Sequence, residues 1–261
     1  MAQIEFDEQL SERMEAFYRT PDIVRRRRLV YEALRAEPGH DVLDVGCGPG
    51  FYTEELLDIV GDTGSLVAVD MSPAMLALAE RRCQGRPNVT FHQADATALP
   101  VDDQIVNRAI CVQVLEYVAD VDAALAELHR ALRPGGRAVV WDIDWATLSM
   151  QSADPERMSR MLRAWDRHLH EPSLPRTLAP RLRRAGFTDV AMTAHAFATA
   201  ELSPDAFGTG MLGLIETYLG ELGEVGPAAA RAWADEQRQL GERGEFYFVV
   251  TQCCFAATRP R

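Results

Sequence analysis

Lysine is absent from this chain, and all 27 of its basic residues are arginines. The absence excludes the phosphate-binding lysine of a P-loop, a Schiff-base lysine and a lysine general base. Negative charge exceeds positive charge, because 39 Asp and Glu residues against 27 arginines leave a net charge of −12. An acidic chain is poorly suited to nucleic-acid phosphates, so we expect no nucleic-acid partner.

Cysteines and long apolar runs are likewise scarce. The five cysteines form no CxxC pair, and their odd number is typical of reduced thiols in the cytoplasm. Adjacent Cys253 and Cys254 fall in a predicted strand, so they point to opposite faces and cannot bind one metal ion together. The longest nearly apolar run, Phe246 to Ala257, is too short to cross a membrane, and the acidic N-terminus is unlike a signal peptide. The sequence predicts a cytoplasmic protein without a metal site or membrane insertion.

Strand and helix patterns alternate through the first half of the chain, which predicts an α/β fold with a doubly wound, mostly parallel sheet. Ser72 and Pro73 are typical of a helix start, and the run 133–136 is typical of a helix end. The predicted strands are 41–45, 66–70, 89–93, 105–112 and 137–143, and the predicted helices are Ile4 to Tyr18, Pro21 to Ala36, Pro73 to Arg82 and Val121 to Leu132.

The second half is predicted to contain more helix, with a sixth strand at 189–199 and a seventh at 244–258. The segment 203–243 between them is too long for a hairpin turn. An apolar stripe follows one side of this insertion, formed by Phe207, Met211, Leu214, Ile215, Tyr218 and Leu222. Two interpretations stay open, a helical lid that also packs on the sheet or packing alone.

A glycine turn follows the first strand. Gly46, Gly48 and Gly50 stand between the apolar run 42–45 and a predicted helix, and Asp70 ends the next apolar run. Such a strand–turn–helix unit brings bare peptide groups and a helix N-terminus close to a ligand. A carboxylate at Asp70 can accept hydrogen bonds from both hydroxyls of a ribose. The combination predicts a nucleoside cofactor.

The glycine spacing favours one cofactor class. A nicotinamide or flavin dinucleotide fingerprint is GxGxxG, and the third glycine of that pattern falls here on Phe51. The segments VLDVGCGPG and VAVDMSPAML instead resemble the class I S-adenosylmethionine-dependent methyltransferases, in the small-molecule branch with quinone and natural-product methyltransferases. The resemblance implies a Rossmann-like sheet of seven strands, mostly parallel with an antiparallel last strand. It also implies S-adenosylmethionine as cofactor and S-adenosylhomocysteine as product.

The same resemblance assigns roles around the turn. Gly46 and Gly48 are expected along the amino-acid part of the cofactor, and Asp44 is expected to brace the turn. Asp70 is expected on the ribose hydroxyls, where a bond to a charged acceptor contributes about 1.5–3 kcal/mol. The alternative for Asp70 is a cap for the turn that follows it. Met71 is expected against a face of the adenine.

Five further residues are expected near the cofactor on the same grounds. Asp95 and the amide of Ala96 are expected on the adenine ring, and Gln113 near the cofactor's amino group. Arg25, in a run of four arginines that is otherwise expected to be mostly solvated, is a candidate partner for the carboxylate. Tyr18 is a candidate for closing over the sulfonium.

Methyl transfer from a sulfonium needs mainly the in-line positioning of a nucleophile, and a base only where the nucleophile arrives protonated. The catalytic candidates are Glu116, Tyr117, Asp142, Asp144 and His168. Tyr117 stands where many members of the family have histidine, and this departure leaves the usual general base in doubt. Asp142 and Asp144 share one side of a strand flanked by tryptophans, which suits a cationic amine. The alternative, which the sequence favours slightly, is that they are loop caps or solvated acids.

We predict a single domain over 1–261, comprising N-terminal helices (1–38), a cofactor-binding core (39–145), helices with the sixth strand (146–202), the helical lid insertion (203–243) and the last strand (244–261). The resemblance implies methylation of a small apolar or aromatic acceptor by a monomer or homodimer. Two alternatives stay open. One is a non-methylating enzyme, such as a cyclase, that keeps S-adenosylmethionine as a structural cofactor. The other is a binding or regulatory protein with a vestigial cofactor site.

Overall fold

A computed structural model describes residues 15–221 and 225–261. Most of the predicted helix Ile4 to Tyr18 therefore lies outside the described residues, as does Leu222 of the apolar stripe. Residues 15–18, the described part of that helix, are helical.

The first half alternates strands and helices as predicted. Its elements are α1 (Pro21–Leu34), β1 (Asp41–Val45), α2 (Phe51–Val60), β2 (Ser65–Asp70), α3 (Pro73–Arg82), β3 (Val89–Gln93), β4 (Val106–Val112), a short 3-10 helix (Leu115–Tyr117), α4 (Val121–Ala131) and β5 (Leu132–Met150). The second half contains α5 (Pro155–Asp166), α6 (Pro175–Arg184), β6 (Thr188–Thr199), α7 (Phe207–Glu221), α8 (Pro227–Glu242) and β7 (Phe248–Thr258).

The strands form one seven-stranded sheet in the order β3-β2-β1-β4-β5-β7-β6. The pairs β1–β2, β1–β4, β2–β3 and β4–β5 are parallel. Strand β7 runs antiparallel to β5, because the Thr251 amide donates to the Thr147 hydroxyl while the Gly135 amide donates to the Arg259 carbonyl. The predicted doubly wound sheet with an antiparallel last strand is confirmed.

Local sequence explains the sharpest boundaries. Helix α3 begins after Ser72, whose hydroxyl accepts from the Met75 amide at 3.4 Å, and Pro73 occupies its first turn. Arg81 and Arg82 lie in its last turn, where positive charge complements the helix dipole.

Three elements differ from the prediction. Strand β7 was predicted from residue 244 but begins at Phe248, because the amides of Gly244 and Glu245 are still bonded to the carbonyls of Gly241 and Leu240 at the end of the preceding helix. Strand β5 was predicted over 137–143 but covers Leu132–Met150, because the Pro-Gly-Gly segment forms an irregularity in the pairing with β4 and the far end is hydrogen-bonded to β7. The insertion 203–243 was predicted to be helical from Pro204 to Leu240, and its described residues form two separate helices, Phe207–Glu221 and Pro227–Glu242. Gly226, with φ +82°, and Pro227 mark the start of the second of them.

The chain divides into two compact units. The helical unit comprises Met1–Arg26, Ile143–Ser173 and His195–Gln252, and the sheet unit comprises Arg27–Asp142, Leu174–Ala194 and Cys253–Arg261. The sheet unit has a continuous apolar core formed by β1, β4, β5 and the buried faces of α4 and α6. The division into five segments of a single domain stays a prediction.

Candidate functional site

The glycine turn after β1 is held by backbone hydrogen bonds to the end of β2. The amides of Gly46 and Cys47 both donate to the Val69 carbonyl, at 2.7 and 3.0 Å. The Gly48 amide donates to Asp70 Oδ2 at 2.8 Å. The turn is therefore fixed by its neighbour strand before any ligand contributes.

Two of its glycines are required by packing within the protein. A Cβ on Gly46, which has φ +73°, would stand 2.1 Å from Cγ2 of Val114. A Cβ on Gly50, with φ +82°, would stand 2.8 Å from the Cα of Ala79 in α3. Gly46 is expected from the resemblance to leave room for a ligand, and the structure adds a clash with Val114 that any side chain there would meet.

Asp70 connects the glycine turn to the start of α3. Its Oδ2 accepts from Gly48 and its Oδ1 accepts from the Ser72 amide at 2.8 Å. Burial raises the pKa of Asp70, and these backbone donors oppose the rise. The cap interpretation thus describes part of its role, yet each carboxylate oxygen has a second lone pair that can accept a further donor such as a ribose hydroxyl.

Asp44 ties β1 to the first turn of α2. Its Oδ2 accepts from the Thr53 hydroxyl at 2.7 Å, and both residues are buried. Burial raises the pKa of Asp44 to about 7, with the Thr53 bond opposing and the Asp70 charge adding to the rise. This geometry is that of the bracing residue expected at this position.

Helix α3 also holds the turn, through Arg82, for which the sequence motifs predict no role. Arg82 Nε donates to the Pro49 carbonyl at 2.7 Å, and its guanidinium lies 3.5 Å from the centroid of the Phe51 ring. A second arginine, Arg27, lies 5.2 Å from the same centroid and donates to Glu55 at 2.9 Å. The spacing of residues along α3 gives no signal that Arg82 contacts Pro49.

Register brings most of the predicted cofactor residues to one edge of the sheet. Val45 pairs with Val69 and with Cys111, so the segments that follow β1, β2 and β4 emerge side by side at the carboxyl ends of parallel strands. Met71 is 53% exposed there, immediately beyond Asp70. Asp70 itself pairs with Gln93, the last residue of β3.

The segments after β3 and β4 contribute at the same edge. Asp95 is exposed, and its Oδ1 accepts from the amide and hydroxyl of Thr97, while Ala96 is buried. Gln113 adopts φ +54°, a left-handed conformation that side chains disfavour, and its amide donates to the Trp141 carbonyl at 2.6 Å. Backbone strain of this kind concentrates at functional sites, which supports a ligand-facing role for Gln113.

Three catalytic candidates belong to the same unit. Glu116 is fully buried in the 3-10 helix after β4, whereas its neighbour Tyr117 is 46% exposed. Asp142 is fully buried within β5. Because β5 continues to Met150, Asp142 and Asp144 lie within a strand, and the interpretation as loop caps or solvated acids is wrong.

Asp144 and His168 belong to the helical unit, where His168 is part of an aromatic cluster. The cluster comprises Trp145, Trp165, His168 and Tyr218, all buried, with ring centroids 4.0 to 5.5 Å apart along its contacts. His168 Nδ1 also contacts the Trp165 carbonyl. Burial lowers the pKa of His168 to about 4, so the imidazole is neutral at neutral pH and a weak base.

The buried imidazole predicts a pH-dependent stability. Between pH 6.5 and about 4 the unfolded chain binds a proton that folded His168 does not, so stability falls as the pH falls through this window. We expect the wild type to lose about 2 kcal/mol more unfolding free energy than His168→Phe between pH 7.5 and pH 5. Urea denaturation at the two pH values measures the difference. The exposed His170, changed in the same way, is the control, and equal losses in all three proteins would contradict the prediction.

The two remaining candidates, Arg25 and Tyr18, also belong to the helical unit. Arg25 is exposed, donates to the Ala196 carbonyl at 3.4 Å and lies over the Phe197 ring. Tyr18 packs edge-on against Phe17. The run of arginines is half buried rather than mostly solvated, because Arg26 and Arg27 are 1% and 4% exposed. The cofactor roles of Arg25 and Tyr18 stay predictions.

Within residues 15–221 and 225–261, no three His, Cys, Asp or Glu side chains are grouped as a metal site would require. Among the same described residues, no helix combines the length and apolar character of a membrane crossing.

Comparison with known proteins bears directly on the glycine-turn segment. Residues 42–136, which run from β1 into β5 and include the turn and Asp70, match the family model described as a methyltransferase domain. This segment is a methyltransferase domain. For this segment, the predicted resemblance to the S-adenosylmethionine-dependent methyltransferases is confirmed.

Two curated proteins resemble this chain over about half of its length, and one of them carries a methyltransferase name. The demethylmenaquinone methyltransferase of Renibacterium salmoninarum is 40% identical over 123 residues, which are 47% of this chain and 49% of the relative. A 37.1 kDa protein in transposon TN4556 of Streptomyces fradiae, named as uncharacterized, is 38% identical over 143 residues, 55% of this chain and 40% of the relative. The chain thus spans less than half the length of these two curated relatives.

The fold itself is found in enzymes of differing chemistry. The solved structure of the (4+2)-cyclase SpnF superposes with a TM-score of 0.58 at 22% identity, covering 90% of this chain and 80% of that one. At this identity the likeness concerns the fold alone, and it leaves the reaction to be argued from the site.

Proposed function

We propose that this protein binds S-adenosylmethionine and transfers its methyl group to a small apolar or aromatic acceptor, releasing S-adenosylhomocysteine. The observation that carries the proposal is the glycine turn fastened to Asp70 inside the matched methyltransferase domain. One edge of the sheet brings together the peptide groups of the turn, the Asp70 carboxylate, the exposed side chain of Met71 and the segments after β3 and β4. This combination suits a nucleoside joined to an amino acid.

The residues of this chain contribute mainly binding and orientation. When bound, the cofactor supplies an electrophilic methyl group on its sulfonium. In the proposal Asp70 accepts from the ribose hydroxyls, Met71 covers the adenine, and Asp95 with the Ala96 amide selects the adenine edge. The turn at Gly46 and Gly48 leaves room for the amino-acid part. Buried Glu116 and Asp142 are candidates for orienting an acceptor or taking its proton, alongside Tyr117, Asp144 and His168.

Two features support an aromatic or apolar acceptor. The helical unit carries the aromatic cluster of Trp145, Trp165, His168 and Tyr218 together with the apolar faces of α7 and α8. The Renibacterium salmoninarum relative is named for a demethylmenaquinone, which is a quinone. We therefore propose a quinone-like ring as the first acceptor class to test, and an aromatic amine as the second because Asp142 and Asp144 are acidic.

Calorimetry and product analysis test the proposal together. We expect micromolar binding of S-adenosylmethionine and S-adenosylhomocysteine to the purified chain, with no binding of NAD or FAD as controls. Incubation with quinone, phenol, isoprenoid and amine acceptors should then yield S-adenosylhomocysteine in step with methylated product. Binding of NAD or FAD alone, or of none of the four, would overturn the proposal.

A non-methylating enzyme on the same fold is the alternative, and the likeness to a cyclase shows that this fold accommodates one. The two are separated by the fate of the cofactor. A cyclase would convert its substrate at constant S-adenosylmethionine concentration, whereas a methyltransferase consumes one cofactor per product. Four further expectations stay predictions: a cytoplasmic location, the lack of a nucleic-acid partner, a monomeric or dimeric state, and a lid role for the helical insertion.

A further inference from the structure

Arg82 occupies an unusual position for a residue in the last turn of a helix. Its side chain is only 10% exposed, although Arg81 beside it is exposed to solvent. It reaches from α3 to the glycine turn, where Nε donates to the Pro49 carbonyl at 2.7 Å. Proline has no amide hydrogen, so this carbonyl is the hydrogen-bonding group that Pro49 offers to the rest of the protein.

The guanidinium also fixes the residue that follows the turn. It lies 3.5 Å from the centroid of the buried Phe51 ring, the first residue of α2, and its Nη1 is 3.7 Å from a carboxylate oxygen of Glu54 one turn later. Planar stacking and a directional Nε–H bond require the fork of arginine, and lysine cannot supply both at once. Arg82 therefore holds both the end of the turn and the start of α2.

The turn is held at three points, and each belongs to a different element. Asp70 and Val69, at the end of β2, hold its amides. Val114, after β4, closes the space beside Gly46. Helix α3 supplies the third point, with Arg82 on Pro49 and Ala79 against Gly50.

We propose that Arg82 is a positioning residue for the amino-acid part of S-adenosylmethionine, which it governs through the Pro49 carbonyl and the Phe51 ring. The inference rests on the proposed function. It adds Arg82 as a residue that does not itself touch the ligand but on which binding of the ligand's amino-acid part depends. Because Asp70 has its own bonds to Gly48 and Ser72, the ribose contact does not require Arg82.

The test compares two ligands that differ in the amino-acid part. S-adenosylhomocysteine carries it, and 5′-methylthioadenosine shares the adenosine and thioether but lacks it. In calorimetry we expect Arg82→Ala to weaken S-adenosylhomocysteine binding about tenfold and 5′-methylthioadenosine binding less than about twofold. Arg81→Ala, the same change one residue earlier on the exposed side, should leave both affinities at the wild-type values.

Each outcome decides between the two proposals. If the wild type binds neither ligand, the proposed function fails. If the wild type binds both and Arg82→Ala binds S-adenosylhomocysteine equally well, the positioning role fails while the function stands. Equal weakening of both ligands would show a general structural role and overturn the proposal.

Should Arg82→Ala not fold, Arg82→Lys keeps the charge beside Glu54, and we expect about threefold weaker S-adenosylhomocysteine binding with unchanged 5′-methylthioadenosine binding. A folded lysine variant with wild-type affinity for both would also overturn it.

Discussion

Replacing Gly46 by alanine is expected to destabilise the sheet unit severely and to abolish S-adenosylhomocysteine binding. The new Cβ would stand 2.1 Å from Val114 Cγ2, and both residues are held by backbone hydrogen bonds, from the Gly46 amide to the Val69 carbonyl and from the Tyr117 amide to the Val114 carbonyl. The left-handed φ of +73° adds a further penalty for any side chain. Strain of about 1–2 kcal/mol from the backbone and about 1–3 kcal/mol from overpacking predict a loss of roughly 3 kcal/mol in unfolding free energy.

Two control variants separate the clash from the backbone strain. Gly85 has φ +86° with nothing within 4 Å of a Cβ, so Gly85→Ala should show only the backbone part, about 1 kcal/mol. Val114→Ala removes the atom at 2.1 Å and leaves the Val114 Cβ at 3.2 Å, so the double variant should be more stable than Gly46→Ala alone. Thermal midpoints of the wild type, Gly46→Ala, Gly85→Ala and the double variant with Gly46→Ala and Val114→Ala measure both effects. Equal midpoints for Gly46→Ala and Gly85→Ala would contradict the packing explanation.

Asp70→Ala is expected to weaken S-adenosylmethionine binding at least about tenfold. The substitution removes the acceptor proposed for the ribose hydroxyls, and it also releases the amides of Gly48 and Ser72. The loss should therefore extend to S-adenosylhomocysteine and to 5′-methylthioadenosine, unlike the selective loss expected for Arg82→Ala. Calorimetry with the three ligands measures it, and an unchanged affinity would exclude the ribose assignment.

An isosteric variant, Asp70→Asn, distinguishes the charge of this side chain from its shape. The substituted amide retains one oxygen that accepts from a backbone amide, but its NH₂ group faces the other donor and cannot accept. We expect Asp70→Asn to fold, to lose about half of the stability lost in Asp70→Ala, and to bind the cofactor nearly as weakly. The exposed Asp62, replaced by alanine, controls for the change in net charge. Wild-type binding by Asp70→Asn would indicate that the carboxylate only caps the turn.

The elements with strong local signals were predictable from the sequence. Strand β3 and helix α3 have the predicted bounds, because the alternation of Val89 and Phe91 with polar residues and a Ser-Pro helix start are local patterns. The chemistry of the site was also predictable in outline, since Gly46, Gly48 and Asp70 are neighbours in a motif and become neighbours in space through the β1–β2 register.

Features that depend on distant pairing were not predictable. The length of β5 follows from β7, which lies about a hundred residues further along the chain at Thr251. The need for glycine at position 46 depends on Val114, and the support of Pro49 depends on Arg82. The burial of Asp142 and Asp144 follows from the extended β5 rather than from any local pattern around them.

The position of β7 between β5 and β6 has a consequence for synthesis on the ribosome. Strands β3, β2, β1, β4 and β5 are consecutive neighbours in the sheet and complete by Met150, so they can pair while translation continues. Strand β6 emerges next but lacks its hydrogen-bonded neighbour until residues 200–247 and then β7 have been made. During that interval its unpaired backbone groups are available to other chains. Nascent chains halted between Thr199 and Phe248 should therefore be the most dependent on chaperones.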